Sequence, residues 1–286
     1  MSHVRAVNAA AGTKSRYTVT RPMRYAEYPP SPAAAAIVDC YWILEGEGTG
    51  VPEPIIPDGR IEIILHYGAR FERHHLDGRV ERQAPAMLVG QILAPISLGY
   101  HGCAGVAAIR LRPEATRAVT GCSAADVTGQ FIDLDVLFGA TASLRERLAL
   151  APDDQERVRL LDRWIGSRAM RGAPAREVSA TVAAITASAG SVDLRAMAFA
   201  AGVSLRQLER RFLADVGMPP KTFARIVRLQ AALTRIAGGD SLADAAHACG
   251  YYDQPHMTRD FARLAETSPA AWQHHAGHLT PLFVKR

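Results

Sequence analysis

SLRQLERRF (residues 204–212) and QPHMTRDF (residues 254–261) decide how the C-terminal third of the chain folds. Each sets apolar side chains at helical spacing on one side, Leu205, Leu208 and Phe212 in the first and Met257, Phe261 and Leu264 around the second. Arg, Gln and Thr occupy the other side, which is the pattern of an amphipathic helix. Phe212 and Phe261 are 49 residues apart, as are Arg210 and Arg259, and Leu208 and Met257. The chain carries an internal repeat.

The flanking residues supply starts and stops. Asp193 suits the N-cap of LRAMAFAA, and Gly202 closes that helix. Ser204 with Gln207 three residues on forms a capping box and starts the next helix after a very short turn. After Gly217 and the Pro219-Pro220 pair, KTFARIVRLQAALTRIAGG predicts one long helix ending at Gly238-Gly239. The pattern then runs again: Ser241 caps LADAAHAC, Gly250 breaks it, and Asp253 caps QPHMTRDFARLA. Pro255 falls in the first turn, where its missing N–H had no intrahelical partner to lose. The second turn is one residue longer than the first.

Composition bounds the remainder. The 286 residues are enough for two domains, and 48% hydrophobic with 21% charged residues is the balance of globular proteins. The net charge of +5 is concentrated: Arg206, Arg210, Arg211, Lys221, Arg225, Arg228 and Arg235 face only Glu209 and Asp215 between residues 204 and 235. Cys40, Cys103, Cys122 and Cys249 lack the spacing of a zinc site or a disulfide framework. The N-terminus lacks an apolar signal segment and no run reaches membrane-span length, so a cytoplasmic protein without a membrane partner is expected.

The N-terminal half reads as β. Residues 1–20 carry little periodicity and are expected to form a flexible tail. From 21 to 113, short strands recur between Gly and Pro breaks, which predicts an antiparallel barrel or sandwich. RIEIILHY alternates, with Ile61, Ile63, Leu65 and Tyr67 on one face and Arg60, Glu62, Ile64 and His66 on the other, so a half-buried strand is expected. Asp77-Gly78 predicts a two-residue hairpin turn. Arg112-Pro113-Glu114 marks a helix start, and 114–171 reads as helical through Leu144, Leu148, Leu160, Leu161, Trp164 and Ile165. That segment is the candidate dimerisation element, although no heptad seam demands a homodimer. A linker is expected around Gly172 and Pro174, with the repeat domain over 172–280. The fold class is α+β in two domains.

A helix-turn-helix reads DNA by laying its second helix in the major groove. Arg suits guanine, Gln suits adenine, and Thr suits a phosphate or a thymine methyl. The outward faces offer Arg206, Gln207, Glu209 and Arg210 in the first unit and Gln254, Thr258 and Arg259 in the second. The long connecting helix can set the two units into successive grooves, so one chain would cover two adjacent half-sites of double-stranded DNA.

Residues 176–276 resemble the double helix-turn-helix domain of the AraC/XylS family of transcription regulators. DLRAMAFAAGVSLRQLERRFLADVGMPPKTFARIVRLQAAL and SLADAAHACGYYDQPHMTRDFARLAETSPAAW carry the resemblance, with Gly250, Asp253, Gln254, His256, Arg259 and Phe261 in register. It implies base contacts from Arg206, Glu209, Arg210, Gln254, Thr258 and Arg259, and RNA polymerase as a further partner. Pro255 and Met257 depart from the usual residues, and Pro255 cannot hydrogen-bond a base. In such regulators a cupin-like β domain often binds an effector, dimerises, or both. YWILEG, IIPDGRIEIILHYG and MLVGQI resemble the sensor part of a less characterised branch. Arg60, Glu62 and His66 share a strand face and, with Trp42 and Tyr41, are the candidate effector-binding residues.

Two competing readings remain. In one, the β domain is a cupin-type metal enzyme using His66, His74, His75 and His101. Against it, adjacent His74 and His75 in a strand point to opposite faces, and no His-x-His pair precedes a suitably spaced carboxylate. In the other, the helices bind protein partners. No nucleophile elbow, phosphate loop or zincin helix is present, so no catalysis, cofactor or metal is expected.

Overall fold

The structure, a computed structural model, describes residues 4–6, 23–168, 174–273 and 279. The expected tail is therefore described only at residues 4–6, and Gly172 of the expected linker lies outside the described residues. In chain order the strands are β1 (Val4–Ala6), β2 (Arg24–Tyr28), β3 (Val38–Thr49), β4 (Glu53–Ile55), β5 (Ile61–His66), β6 (Glu72–His74), β7 (Val80–Arg82), β8 (Ala86–Val89), β9 (Ile96–Gly99), β10 (His101–Leu111) and β11 (Phe131–Asp133). They form two antiparallel sheets: seven strands in the order β1-β2-β3-β10-β5-β8-β11 and four in the order β4-β9-β6-β7. Both sheets are open, so the barrel alternative is not taken. Residues 4–6 form an edge strand on β2 instead of loose chain.

Alternation along the long strands sends side chains into two separate cores. Tyr41, Ile43, Ile61, Ile63, Leu65, Ala107 and Ile109 face helices that cover one side of the large sheet. Those helices are α1 (Thr116–Thr120), α2 (Ala124–Val127), α3 (Leu134–Phe138), α4 (Ala142–Leu150) and α5 (Asp154–Gly166). Leu144, Leu148, Leu160, Leu161 and Ile165 pack there against the sheet of their own chain. On the other side Trp42, Leu44, Ile64, Val106 and Ala108 meet Ile55, Phe71 and Leu98 of the small-sheet region. The result is helix, sheet, sheet.

This layering corrects three expectations. β5 is buried along its whole length instead of on one face, because the sheet is covered on both sides. Segment 114–171 is not wholly helical: β11 pairs with β8 and extends the sheet, a run too short to carry a period of its own. The loop at Asp77-Gly78 holds three residues, closed by His75 N–H to Arg79 O at 2.8 Å. Only Gly78 there has positive φ (82°), whereas a two-residue type I′ turn needs it at two positions.

The C-terminal domain holds α6 (Arg176–Ala187), α7 (Leu194–Ala200), α8 (Leu205–Val216), α9 (Pro220–Ala237), α10 (Leu242–Ala248), α11 (Gln254–Leu264) and α12 (Pro269–Gln273). Val178, Val182, Phe212, Phe223, Leu229, Leu233, Met257 and Phe261 share one core. Ile56, from the N-terminal half, belongs to that core as well.

Residues 55–60 form the joint. Gln230 of α9 donates from Nε2 to Pro57 O at 2.8 Å, and Gln91 donates to Gly59 O at 3.2 Å. A second contact runs through α2, where Ser123 Oγ donates to Ala214 O at 3.0 Å and Thr128 Oγ1 sits 2.8 Å from Gly217 O. Gly59 has φ of 74°, and a Cβ there would lie 2.9 Å from Phe223 Cε2. Gly78, with similar φ, has open space around it. Gly59→Ala is therefore expected to cost about 1–3 kcal/mol more than Gly78→Ala in urea unfolding, the excess reflecting the ring contact and not φ.

Candidate nucleic-acid interface and N-terminal cavity

The two helix-turn-helix units are built alike. Asp193 caps α7 by accepting from Arg195 and Ala196 N–H, and Ser204 with Gln207 makes the reciprocal capping box of α8. In the second unit Ser241 accepts from Asp244 N–H and Asp253 from His256 N–H. Both first helices end in the same left-handed glycine turn. Gly202 (φ 66°) is followed by Val203 N–H donating to Ala198 O, and Gly250 (φ 70°) by Tyr251 N–H donating to Ala246 O. One extra residue then separates Tyr251 from its cap, which is Tyr252. Its ring is fully exposed, as is that of Phe199 on α7. Sequence reasoning passed over both, although Val203 and Tyr251 already fill the inward turn positions.

Each second helix is anchored by an ion pair at the same place in the repeat. Arg211 of α8 pairs with Glu177 of α6, and Asp260 of α11 accepts from Arg225 Nε of α9 at 3.1 Å. The sign of the pair is reversed between units. Asp260 is almost fully buried, so Arg225 is its necessary counter-ion. Arg235 pairs with Asp240 at 2.7 Å, and Arg228 donates to Gly190 O at 2.9 Å. Four of the arginines that made the local charge excess are thus structural.

Arg206 and Arg210 remain. Both are exposed on α8 and make no ion pair among the described residues, and Glu209 beside them is half-buried and likewise unpaired. Gln207 is exposed, but its Oε1 accepts from Ser204 N–H at 2.9 Å, which leaves only its amide nitrogen free to act outward. On α11, Gln254 and Arg259 are exposed. Thr258 spends its hydroxyl proton on Gln254 O at 3.0 Å. Pro255 occupies the first turn and Met257 is buried in the core.

The other candidate residues converge on a cavity between the two sheets. Counted out into open solvent, the space there not filled by protein atoms is about 550 Å³, and it is lined by Trp42, Asp58, Arg60 and Glu62 with Ile55, Ile64, Phe71, Gln83, Leu98 and Phe131 among its apolar and polar walls. Trp42 Nε1 and Arg110 Nε both donate to Glu62 Oε1 at 2.9 Å, and Arg110 also bonds Glu27 at 2.9 Å. Arg60 pairs with Asp39 at 3.2 Å. Burial pushes the Asp58 and Glu62 carboxyls above their ordinary range, against the pull of Arg110. Tyr41 leaves this group because strand alternation turns it to the helical side, where its hydroxyl donates to Asp162 at 2.7 Å.

His66 stands behind the cavity wall, bonded to Gln83 Oε1 at 3.1 Å, and burial lowers its pKa to about 4. It is not brought together with His74, His75 and His101. Among the described residues no group of three His, Cys, Asp or Glu is placed to hold a metal ion. No helix among them is long and apolar enough to cross a membrane.

Fold and site together define a protein with an antiparallel-sheet domain joined to a double helix-turn-helix. Comparison with known proteins narrows this. A family described as "Helix-turn-helix domain" matches residues 197–275, and one described as "Domain of unknown function (DUF6597)" matches residues 26–133. Over 73 residues, 25% of this chain, the sequence is 33% identical to the HTH-type transcriptional activator RhaS of Pectobacterium carotovorum. The chain spans 26% of that relative's length. Among solved structures, the C-terminal domain of AraT, a response regulator from Geobacillus stearothermophilus, is similar at TM-score 0.34 and 18% identity, over 36% of this chain and 88% of that one. ToxT from Vibrio cholerae is similar at TM-score 0.47 and 8% identity, over 83% and 99%. The C-terminal region of the chain is thus a helix-turn-helix domain similar to that of an HTH-type transcriptional activator.

Arg225→Ala strands a buried carboxylate and is expected to cost about 3 kcal/mol in urea unfolding. Arg211→Ala, in the more exposed pair, costs about 1 kcal/mol or less. His66 makes stability depend on pH. The unfolded chain takes up a proton near pH 6.5 that the native state refuses until about 4, so this contribution is complete above 6.5 and is lost as pH falls through 4. Wild type should lose about 2 kcal/mol more than His66→Gln between pH 7 and pH 5.

Proposed function

We propose that the protein is a sequence-specific DNA-binding transcription regulator, with α8 and α11 reading adjacent major grooves and the N-terminal cavity receiving a small-molecule effector. The observation that carries the reading is the division of the arginines. Arg211, Arg225, Arg228 and Arg235 are committed to the fold, whereas Arg206 and Arg210 stand exposed on α8 with no counter-ion among the described residues. Such unpaired guanidiniums suit guanine edges and phosphates. α9, with 18 residues, is about 27 Å long and separates the two recognition helices on a scale near the roughly 34 Å groove repeat.

The two helices contribute unequally. α8 presents two free guanidiniums, while α11 presents Gln254 and Arg259 around a proline that cannot donate or accept at a base. Its N-terminal turn then serves phosphate positioning more than base readout. Effector control has a physical route in residues 55–60. Ile55, Asp58 and Arg60 line the cavity, while Ile56, Pro57 and Gly59 touch α9 or its core. A molecule filling the cavity would press on the support of the helix that spaces the two units.

A DNA selection with the full chain should recover a bipartite site, with affinity falling steeply as salt rises. On that site Arg210→Ala is expected to cost about 1–3 kcal/mol with relaxed base preference, and Arg259→Ala less preference than affinity. Unchanged affinity in the combined Arg206, Arg210 and Arg259 alanine variant would favour a protein-binding scaffold instead.

A further inference from the structure

We infer that the cavity between the sheets takes an apolar amine, its ammonium received by Asp58 and Glu62 and its body held among Ile55, Ile64, Phe71 and Leu98. The inference rests on the effector reading for its biological meaning, but not for its chemistry. Three charged side chains line the cavity: Asp58, Arg60 and Glu62. The charge of Arg60 is met by Asp39, and Arg110 behind the wall is shared between Glu62 and Glu27. Asp58 makes no ion pair among the described residues, and its carboxylate accepts from Arg60 N–H at Oδ1, at 3.0 Å. The polar end of the cavity is therefore short of a cation.

Two further observations point to a ligand there. Burial pushes both carboxyls up even with the two arginines beside them, so an added positive charge would be held favourably. Gln83 is 6% exposed, turns Oε1 to His66, and leaves its amide nitrogen with no partner among the described residues. A buried amide in that state offers a second anchor, for an acceptor on the ligand. The remaining walls are mostly aliphatic or aromatic, the lining that holds an apolar ligand body. Of the cations around the cavity, Arg60 is met by Asp39 and Arg73 is stacked 4.6 Å from the centre of the Phe131 ring.

The test is calorimetric titration of the full chain with three probes of matched shape: 4-phenylbutylamine, 4-phenylbutan-1-ol and 4-phenylbutanoate. The amine should bind at least tenfold tighter than the other two. Asp58→Asn keeps the acceptor for Arg60 N–H and should abolish the amine's advantage while leaving the alcohol's affinity as it was. Equal affinities, a preference for the carboxylate, no binding by any probe, or an amine preference that survives Asp58→Asn each overturn the assignment. Affinity for the selected DNA site, measured with the amine at saturation, separates the two claims. An unchanged DNA affinity removes the effector reading and leaves the ligand class standing.

Discussion

Gly59 lies so close to the ring of Phe223 that no side chain fits between them. This contact sets where the N-terminal half meets α9, the helix between the two helix-turn-helix units. It needs a residue without a Cβ at positive φ, and the turn chemistry of Pro57-Asp58-Gly59 supplies one. Ile56 is drawn into the C-terminal core on one side of the loop, and Asp58 faces the cavity on the other. Gln230 and Gln91 then clamp the loop carbonyls at Pro57 and Gly59. One short loop is thus a wall of the cavity and a bearing surface for α9.

The large sheet makes that arrangement stable because its centre is covered on both faces. Helices α1–α5 cover one side and the small sheet the other. Charged residues on the second side must then be satisfied internally, and the chain Glu27, Arg110, Glu62 and Trp42 does so. The helical cover also uses the apolar face of segment 114–171 that would otherwise be available for a homodimer seam. α2, part of that cover, bonds the carbonyls at the end of α8, so α8 is held from the N-terminal half as well as from its own domain.

The repeat is a duplication of scaffold more than of surface. Caps, glycine turns and inward side chains correspond across the two units. The anchoring ion pairs keep their position but exchange sign, Arg211 with Glu177 in one and Asp260 with Arg225 in the other. What differs is outside: two unpaired arginines on α8, and a proline with a fully exposed Tyr252 ahead of it at α11. The asymmetry assigns the two helices different work in the proposed reading.

The helix-turn-helix units were legible because their signals are local. Ser204 and Gln207, Asp253 and Gly250 act on backbone groups a few residues away, and the apolar period needs only one helix to declare it. The alternation of β5 was likewise legible, and it correctly set Glu62 and His66 on one face with Ile61, Ile63 and Leu65 on the other. Tertiary structure decided the rest. Whether the polar face of β5 meets water depends on a sheet formed by residues distant in sequence, so burial of Glu62 and the cavity around it could not be read from the strand. β11 is a strand only because β8 offers it an edge. Which arginines face outward depends on where Glu177, Asp240, Asp260 and Gly190 O come to lie, and no periodicity encodes that, since ion pairs between helices are set by packing geometry and not by spacing along the chain.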